Sequence, residues 1–177
     1  MLVRLEQWFD KIADFIGYIC SFLMIVMMLN IFYDVFMRYL FKNSSIAFQE
    51  MEWHLFSVII LLGMSYALKE DSHVRVDILY AKFNERTQAM INIVGTVLFI
   101  TPIALLIALG SIDFVMEAYT TNEISMDPGG LTHRWILKAF IPASFWLLIF
   151  ISIGFIIKNI NVYRGVHHAE KHKQEMI

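Results

Sequence analysis

The stretch WILKAFIPASFWLLIFISIGFII, residues 135–157, decides the fold class of this chain. A helix of about 20 mostly apolar residues crosses the hydrocarbon core of a membrane, which is about 30 Å thick. Residues 15–33 and 89–109 form two further runs of this kind. The run at 55–68 is shorter, and it reaches a spanning length when the helix begins at residue 51 with its charged groups at the interface. The sequence therefore predicts four transmembrane helices.

The composition of the whole chain also indicates a membrane protein. Hydrophobic residues make up 58% of the 177 residues and charged residues only 17%, against about 25% charged residues in typical soluble domains. The net charge of -2 provides no basic surface for phosphate groups, so we expect no nucleic-acid partner. Cys20 is the only cysteine, which excludes a disulfide framework. We predict that membrane lipid surrounds the chain.

Apolar residues also recur at helical spacing in two stretches outside the spans. Helices of this kind lie in the membrane interface. We therefore predict an all-α integral membrane protein with four transmembrane helices plus interfacial amphipathic helices. The predicted single membrane domain, residues 1–177, contains an N-terminal interfacial helix at 1–14, spans at 15–36, 51–68, 89–110 and 135–157, an amphipathic segment at 74–88, and a polar tail at 158–177.

The lysine and arginine residues that flank the spans predict the orientation, because cytoplasmic loops carry the excess of these residues. Four spans place both termini on one side. That side holds ten of these residues: Arg4, Lys11, Lys69, Arg75, Lys82, Arg86, Lys158, Arg164, Lys171 and Lys173. The other side holds four: Arg38, Lys42, Arg134 and Lys138. We therefore predict that both termini are cytoplasmic and that the two connectors at 39–50 and 110–134 face outward.

Two pairs of polar residues, each four positions apart, lie near the outer ends of the first two spans. Asp34 and Arg38 share a helical face, so we expect them to pair. Glu50 and His54 share a face at the start of the second span, beside Trp53, which fits an interfacial anchor. Intramembrane charges indicate function by default, but these lie near an interface instead of the midplane. We predict structural or interface roles for them.

A metal or haem site could begin with the same histidine. Glu50 and His54 would supply two ligands, but a zinc site needs three or four. His133 precedes the fourth span on the same outer side, so a haem held by His54 and His133 is an alternative. We predict no metal, no cofactor and no catalytic residue. The sequence contains no Gly-rich phosphate loop and neither a G-x-S-x-G nor an H-E-x-x-H motif.

The sequence GMSYALKEDSHVRVDIL, residues 63–79, leaves the membrane and then presents His73, Arg75 and Asp77 at alternating positions. In an extended segment these three side chains share one side, whereas in a helix only His73 and Asp77 share a face. A general acid/base pair would need a pocket that nothing else in the sequence supplies. We predict a hydrogen-bonded turn that fixes the surface helix against the bundle.

Taken in order, several of these positions resemble the small Q subunit of tripartite ATP-independent periplasmic (TRAP) transporters. The matching positions are Arg38-Tyr39 at the end of span one, Glu50 at the start of span two, Gly63 through Ala67, His73 through Asp77, and Ile141-Pro142 in span four. Each motif alone is weak, but the set covers nearly the whole chain and preserves the order of its parts.

The resemblance implies a non-catalytic subunit of a heterotrimeric secondary transporter in the bacterial inner membrane. In such a transporter a periplasmic solute-binding protein captures an organic acid, and a large membrane subunit, M, carries the substrate and sodium sites. The Q subunit scaffolds M, so M and the solute-binding protein are the implied partners. The acidic outer connector is then a docking surface for the binding protein, with Glu117, Glu123 and Asp127 as candidate residues.

Residues 52–56 (EWHLF) and 127–131 (DPGGL) resemble one branch of this family. These features favour small 2-oxo or hydroxy acids, or a related anion, over sugar acids. Four spans without midplane charges also lack the usual marks of a self-sufficient transporter. Two alternatives stay open at this point, a haem-bearing membrane anchor and a small four-helix exporter that works as a dimer.

Overall fold

A computed structural model describes residues 2–71, 80 and 82–165 of the chain. Within these residues every regular element is a helix, and four helices are long and apolar enough to cross a membrane by length and composition. The elements run in the order α1 (Leu2–Leu40), α2 (Ile46–Lys69), α3 (Glu85–Gly95), a π-helical turn (Thr96–Ile100), α4 (Thr101–Gly110), α5 (Ile112–Thr120) and α6 (Trp135–Tyr163). The predicted fold class is confirmed.

Helix α1 is one continuous helix of 39 residues, about 58 Å long at about 1.5 Å per residue. The sequence predicted an interfacial helix at 1–14 followed by a separate span at 15–36. The structure joins the two because the packed face of α1 continues through the predicted boundary. Its buried residues there recur at alternating steps of three and four: Glu6, Phe9, Ala13, Ile16 and Cys20.

The third span is composite and covers Glu85–Thr120, from the start of α3 to the end of α5. A local π-helical turn accommodates a proline within this span. Pro102 has no backbone N–H and leaves the carbonyl of Leu98, four residues earlier, without its usual donor. The N–H of Thr101 donates to the carbonyl of Thr96, a five-residue step typical of a π-helix.

Other predicted boundaries also differ from those of the helices. Helix α2 begins at Ile46 instead of residue 51, and the third span continues past the predicted end at residue 110. Helix α6 continues past residue 157 to Tyr163. Residues 74–79 and 81 of the predicted amphipathic segment, and residues 166–177 of the predicted tail, lie outside the described residues.

Helix α6 is the centre of the bundle. It packs against α1, α2 and all three helices of the third span, while α1 and α2 also pack against each other. Small residues let these helices approach closely. A Cβ atom added to Gly154 of α6 would lie 2.4 Å from Cβ of Phe9, and one added to Gly17 of α1 would lie 2.8 Å from the ring of Tyr66. Glycine at these two positions is therefore required by the packing.

The outside of the bundle is apolar along its spans, as expected of a protein surrounded by lipid. Large apolar side chains are exposed on α1 and the third span, for example Tyr18, Phe32, Leu98 and Leu106. We call the end of the bundle that holds the 41–45 and 121–134 connectors the connector end. The opposite end, where α1 begins and α6 ends, is the terminal end.

Candidate functional site

Glu50 joins two distant parts of the chain at the connector end. It lies near the start of α2, and only 5% of the residue is exposed. Its carboxylate accepts hydrogen bonds from the hydroxyl of Ser125 and, at 2.5 Å, from the backbone N–H of Leu131. A buried charge of this kind is stable only when its oxygens have donors. One carboxylate therefore ties the 121–134 connector to α2.

The connector is itself folded around this carboxylate. The N–H of Ser125 donates to the carbonyl of Leu131, and the N–H of Gly130 donates to the carbonyl of Asp127, both at 3.0 Å. A Cβ atom added to Gly130 would lie 2.5 Å from Cβ of Ser125 and 2.8 Å from Oε2 of Glu50. The hydrogen bonds to Glu50 thus need glycine at position 130.

A second tie fixes the connector to α6. The ammonium group of Lys138 donates to the carboxylate of Glu123, and it also lies 3.8 Å from the ring centroid of Phe114, a cation–π geometry. The backbone N–H of Arg134 donates to the carbonyl of Glu123 at 3.2 Å. Glu123 is therefore engaged within the chain by both its side chain and its backbone.

The three predicted docking residues differ in their placement. Glu117 and Asp127 are exposed, whereas Glu123 is partly buried in its ion pair. Met126, beside Asp127 at the tip of the connector, is 97% exposed. The tip therefore combines a carboxylate with an apolar side chain, and the docking role of these residues stays a prediction.

Asp34 and Arg38 form an ion pair on one face of α1. Asp34 is 3% exposed, while the side chain of Arg38 is 45% exposed. On the same helix the side-chain amide of Asn30 donates to the carbonyl of Phe48 at 2.9 Å, which binds α1 to the start of α2. The Asn30 hydrogen bond holds α1 and α2 together at the connector end, whereas the ion pair lies within α1, and an interface role for the pair stays a prediction.

His54 and His133 line the same groove, which has a cavity volume of about 500 Å³. Nδ1 of His54 lies 2.6 Å from the carbonyl oxygen of Glu50, and Nδ1 of His133 lies 2.8 Å from the hydroxyl oxygen of Thr132. Trp53 is half exposed and packs edge-on against His54. Among the described residues no group of three His, Cys, Asp or Glu side chains could hold a metal ion.

The terminal end contains a network of polar contacts between helices, whose pairings no pattern in the sequence predicts. The side-chain amide of Asn161 donates to the carboxylate of Glu6 at 2.6 Å, which joins the end of α6 to the start of α1. Both residues are buried. The ammonium group of Lys69 bonds to Asp14 at 2.8 Å and thereby joins α2 to α1.

The third span joins this network through two asparagines. The side-chain amide of Asn92 donates to that of Asn159 at 2.9 Å. The sequence signal was the pair of amides at 159 and 161, which interrupts the otherwise apolar end of the fourth span. Predicted site residues His73, Arg75 and Asp77 lie outside the described residues.

Comparison with known proteins identifies relatives of this chain. The family described as "Tripartite ATP-independent periplasmic transporters, DctQ component" matches residues 27–161. A Vibrio cholerae protein named "C4-dicarboxylate TRAP transporter small permease protein DctQ" is 27% identical over 131 residues, which cover 68% of this chain and 56% of that protein. A Haemophilus influenzae protein named "Putative TRAP transporter small permease protein" is 27% identical over 133 residues, 75% of this chain and 81% of that protein.

Proposed function

Since this chain belongs to the DctQ component family of TRAP transporters, we propose that it scaffolds a large membrane subunit that carries the solute. The matched residues 27–161 include the last third of α1, all of α2 and the third span, and most of α6. This family match is the observation that carries the proposal. The chain spans 56% of the length of the Vibrio cholerae relative. The transport activity and the partner subunits are therefore part of what we propose for this chain.

The distribution of polar groups supports a scaffold instead of a solute path. Ionisable residues that could handle a solute in a membrane are expected near the midplane, and residues 89–110 contain none. At the connector end, Asp34 is paired and Glu50 is hydrogen-bonded within the chain. These two charged groups therefore support the interpretation of a scaffold whose polar residues stabilise the helix ends.

The exposed face of α1 supports packing against a helix of the large subunit. Large apolar residues follow one another along it at alternating steps of three and four, the spacing that lets two helices pack in a left-handed supercoil. Six of the eight are aromatic, and all are exposed: Phe15, Tyr18, Phe22, Ile25, Leu29, Phe32, Phe36 and Tyr39. We call these eight residues the α1 seam and propose that it contacts the large subunit.

Photo-crosslinking in the membrane tests this contact. A photoreactive amino acid at Phe22 or Phe32, within the α1 seam, should yield a product with a large multi-span protein. The same amino acid at Leu106, which is equally exposed on the third span, should yield little of that product. Equal yields at the two sites would refute the proposed contact without affecting the family assignment.

We place the chain in the bacterial inner membrane with both termini in the cytoplasm. The connector end then faces the periplasm, in agreement with the excess of lysine and arginine at the terminal end. A cysteine at position 126, at the tip of the connector, should react with a membrane-impermeant maleimide in intact cells after the outer membrane is permeabilised. A cysteine at Lys82 should react only after lysis.

At the periplasmic side, the connector tip would dock a solute-binding protein. Exposed charges at a rim mainly change the association rate and its salt dependence. Replacing Asp127 and Glu117 by lysine should therefore slow association most strongly at low salt. Lysine at Glu52 of α2 is a control on the same end of the bundle, and an equal effect there would contradict specific docking.

The proposed transporter imports an organic acid together with sodium. The Vibrio cholerae relative is named for C4-dicarboxylates, and the residues at 52–56 and 127–131 favour a small 2-oxo or hydroxy acid or a related anion. Uptake of labelled acids into proteoliposomes that contain the complete transporter, with and without a sodium gradient, tests both parts of this proposal. Uptake that is independent of sodium would refute the coupling.

A further inference from the structure

The groove that contains His54 and His133 has its polar residues at the connector end and becomes apolar further along α2. Its polar residues are His54, Thr132 and His133, all at the connector end. Its apolar wall continues along α2 through Val58 to Leu62. From His54 to Leu62 this wall is about 12 Å long at about 1.5 Å per residue, close to the depth of one leaflet, about half of a 30 Å hydrocarbon core.

The two histidines offer different hydrogen-bonding groups to a ligand. Nδ1 of His54 lies 2.6 Å from the carbonyl oxygen of Glu50. Because a carbonyl only accepts, Nδ1 carries the proton, and Nε2 of the neutral ring is an acceptor. Nδ1 of His133 lies 2.8 Å from the hydroxyl oxygen of Thr132. In the arrangement in which this hydroxyl donates to Nδ1, Nε2 of the ring carries the proton and is a donor.

The backbone holds His133 in place at the mouth of the groove. Its φ of 60° lies in the left-handed region, which a residue with a side chain rarely adopts. The neighbouring Leu131, whose N–H is bound by Glu50, also lines the groove. The hydrogen bonds that tie the connector to α2 therefore also fix the position of His133 at the polar end of the groove.

We propose that this groove binds one phospholipid whose head group contains a primary ammonium, an ethanolamine phospholipid. The ammonium donates to Nε2 of His54, and the phosphate accepts from Nε2 of His133. One acyl chain lies along the apolar wall beside Val58 and Leu62. The acceptor on His54 thus matches the ammonium, and the donor on His133 matches the phosphate. The apolar wall matches an acyl chain of the same lipid. The site belongs to this chain alone and does not depend on the proposed scaffold role.

Native mass spectrometry of the full-length chain tests this proposal. The protein, with any subunit that co-purifies, is placed in nanodiscs that contain equal amounts of ethanolamine and choline phospholipids with identical acyl chains. Choline is quaternary and has no N–H to donate, although it has the same charge. We expect at least about tenfold preferential retention of the ethanolamine lipid, since tenfold corresponds to about 1.4 kcal/mol and a hydrogen bond to a charged group contributes at least about that much.

Variants separate the head-group contact from the chain contact. His54→Leu should retain lipid but lose the preference for ethanolamine, whereas Phe56→Leu, on an exposed face of α2, should keep it. Val58→Trp should fill the groove and abolish retention, whereas Ile60→Trp, also exposed on α2, should not.

Three results would overturn the proposal. Equal retention of the two lipids by the unmodified protein would exclude the ammonium contact, and this result requires no variant. Equal effects of Val58→Trp and Ile60→Trp would place any bound lipid outside the groove. A retained mass that corresponds to a prenylated quinone or to haem would assign the groove to another ligand.

Discussion

The hydrogen bond between Asn161 and Glu6 provides the most direct test of how the bundle is held together at its terminal end. The amide nitrogen of Asn161 lies 2.6 Å from the carboxylate of Glu6, and the two residues are 1% and 5% exposed. Hydrogen bonds to charged groups contribute about 1.5–3 kcal/mol, whereas hydrogen bonds between membrane helices average about 0.6 kcal/mol. We therefore expect Asn161→Ala to lower the free energy of unfolding by about 1.5 kcal/mol.

The loss should be measured as a double-mutant cycle in detergent micelles. Asn161→Ala, Glu6→Ala and the double variant are unfolded by heat, and about 1.5 kcal/mol corresponds to a fall of about 3–6 °C in Tm for a chain of this size. Asn161→Asp should cost more, because it places a second carboxylate beside Glu6. Asn43→Ala, at an exposed connector position, is the matched control. A coupling energy of zero between positions 6 and 161 would refute this explanation.

Three further predictions concern the connector end and the helix packing. Glu50→Ala should make the 121–134 connector easier to cleave by an added protease, because it removes the acceptor of two hydrogen bonds, while Glu52→Ala should not. Lys138→Glu should expose the same connector through repulsion from Glu123, and adding Glu123→Lys should restore its protection. Gly154→Leu should destabilise the fold by about 1–3 kcal/mol or more, measured by thermal unfolding, because the new side chain would overlap an aromatic residue of α1.

The number of spans could be predicted from the sequence because apolar length alone carries that information. The lengths of the helices could not, since they depend on burial. Helix α6 continues beyond its apolar run because Asn159 and Asn161 find partners on the third span and α1. Neither partner is near in sequence, so no local pattern identifies them.

The contacts of the candidate site could also be predicted only in part from the sequence. Asp34 and Arg38 could be paired from their spacing of four residues, and the ion pair is present. The donors to Glu50 could not be identified, because Ser125 and Leu131 are 75 and 81 residues away in the chain. The ion pair of Glu123 with Lys138 could not be predicted either, because it forms only when the connector folds back onto α6, and the docking role of Glu123 stays a prediction.

We propose that this chain is a subunit that scaffolds a larger membrane protein. The most direct test is to tag the full-length chain, extract it in mild detergent and identify any stoichiometric partner by mass. We predict that a large multi-span membrane protein co-purifies with this chain at a ratio of about one to one. A colourless homodimer without that partner would contradict the claim and favour a self-sufficient exporter, and a red preparation with a Soret band would favour a haem-bearing anchor.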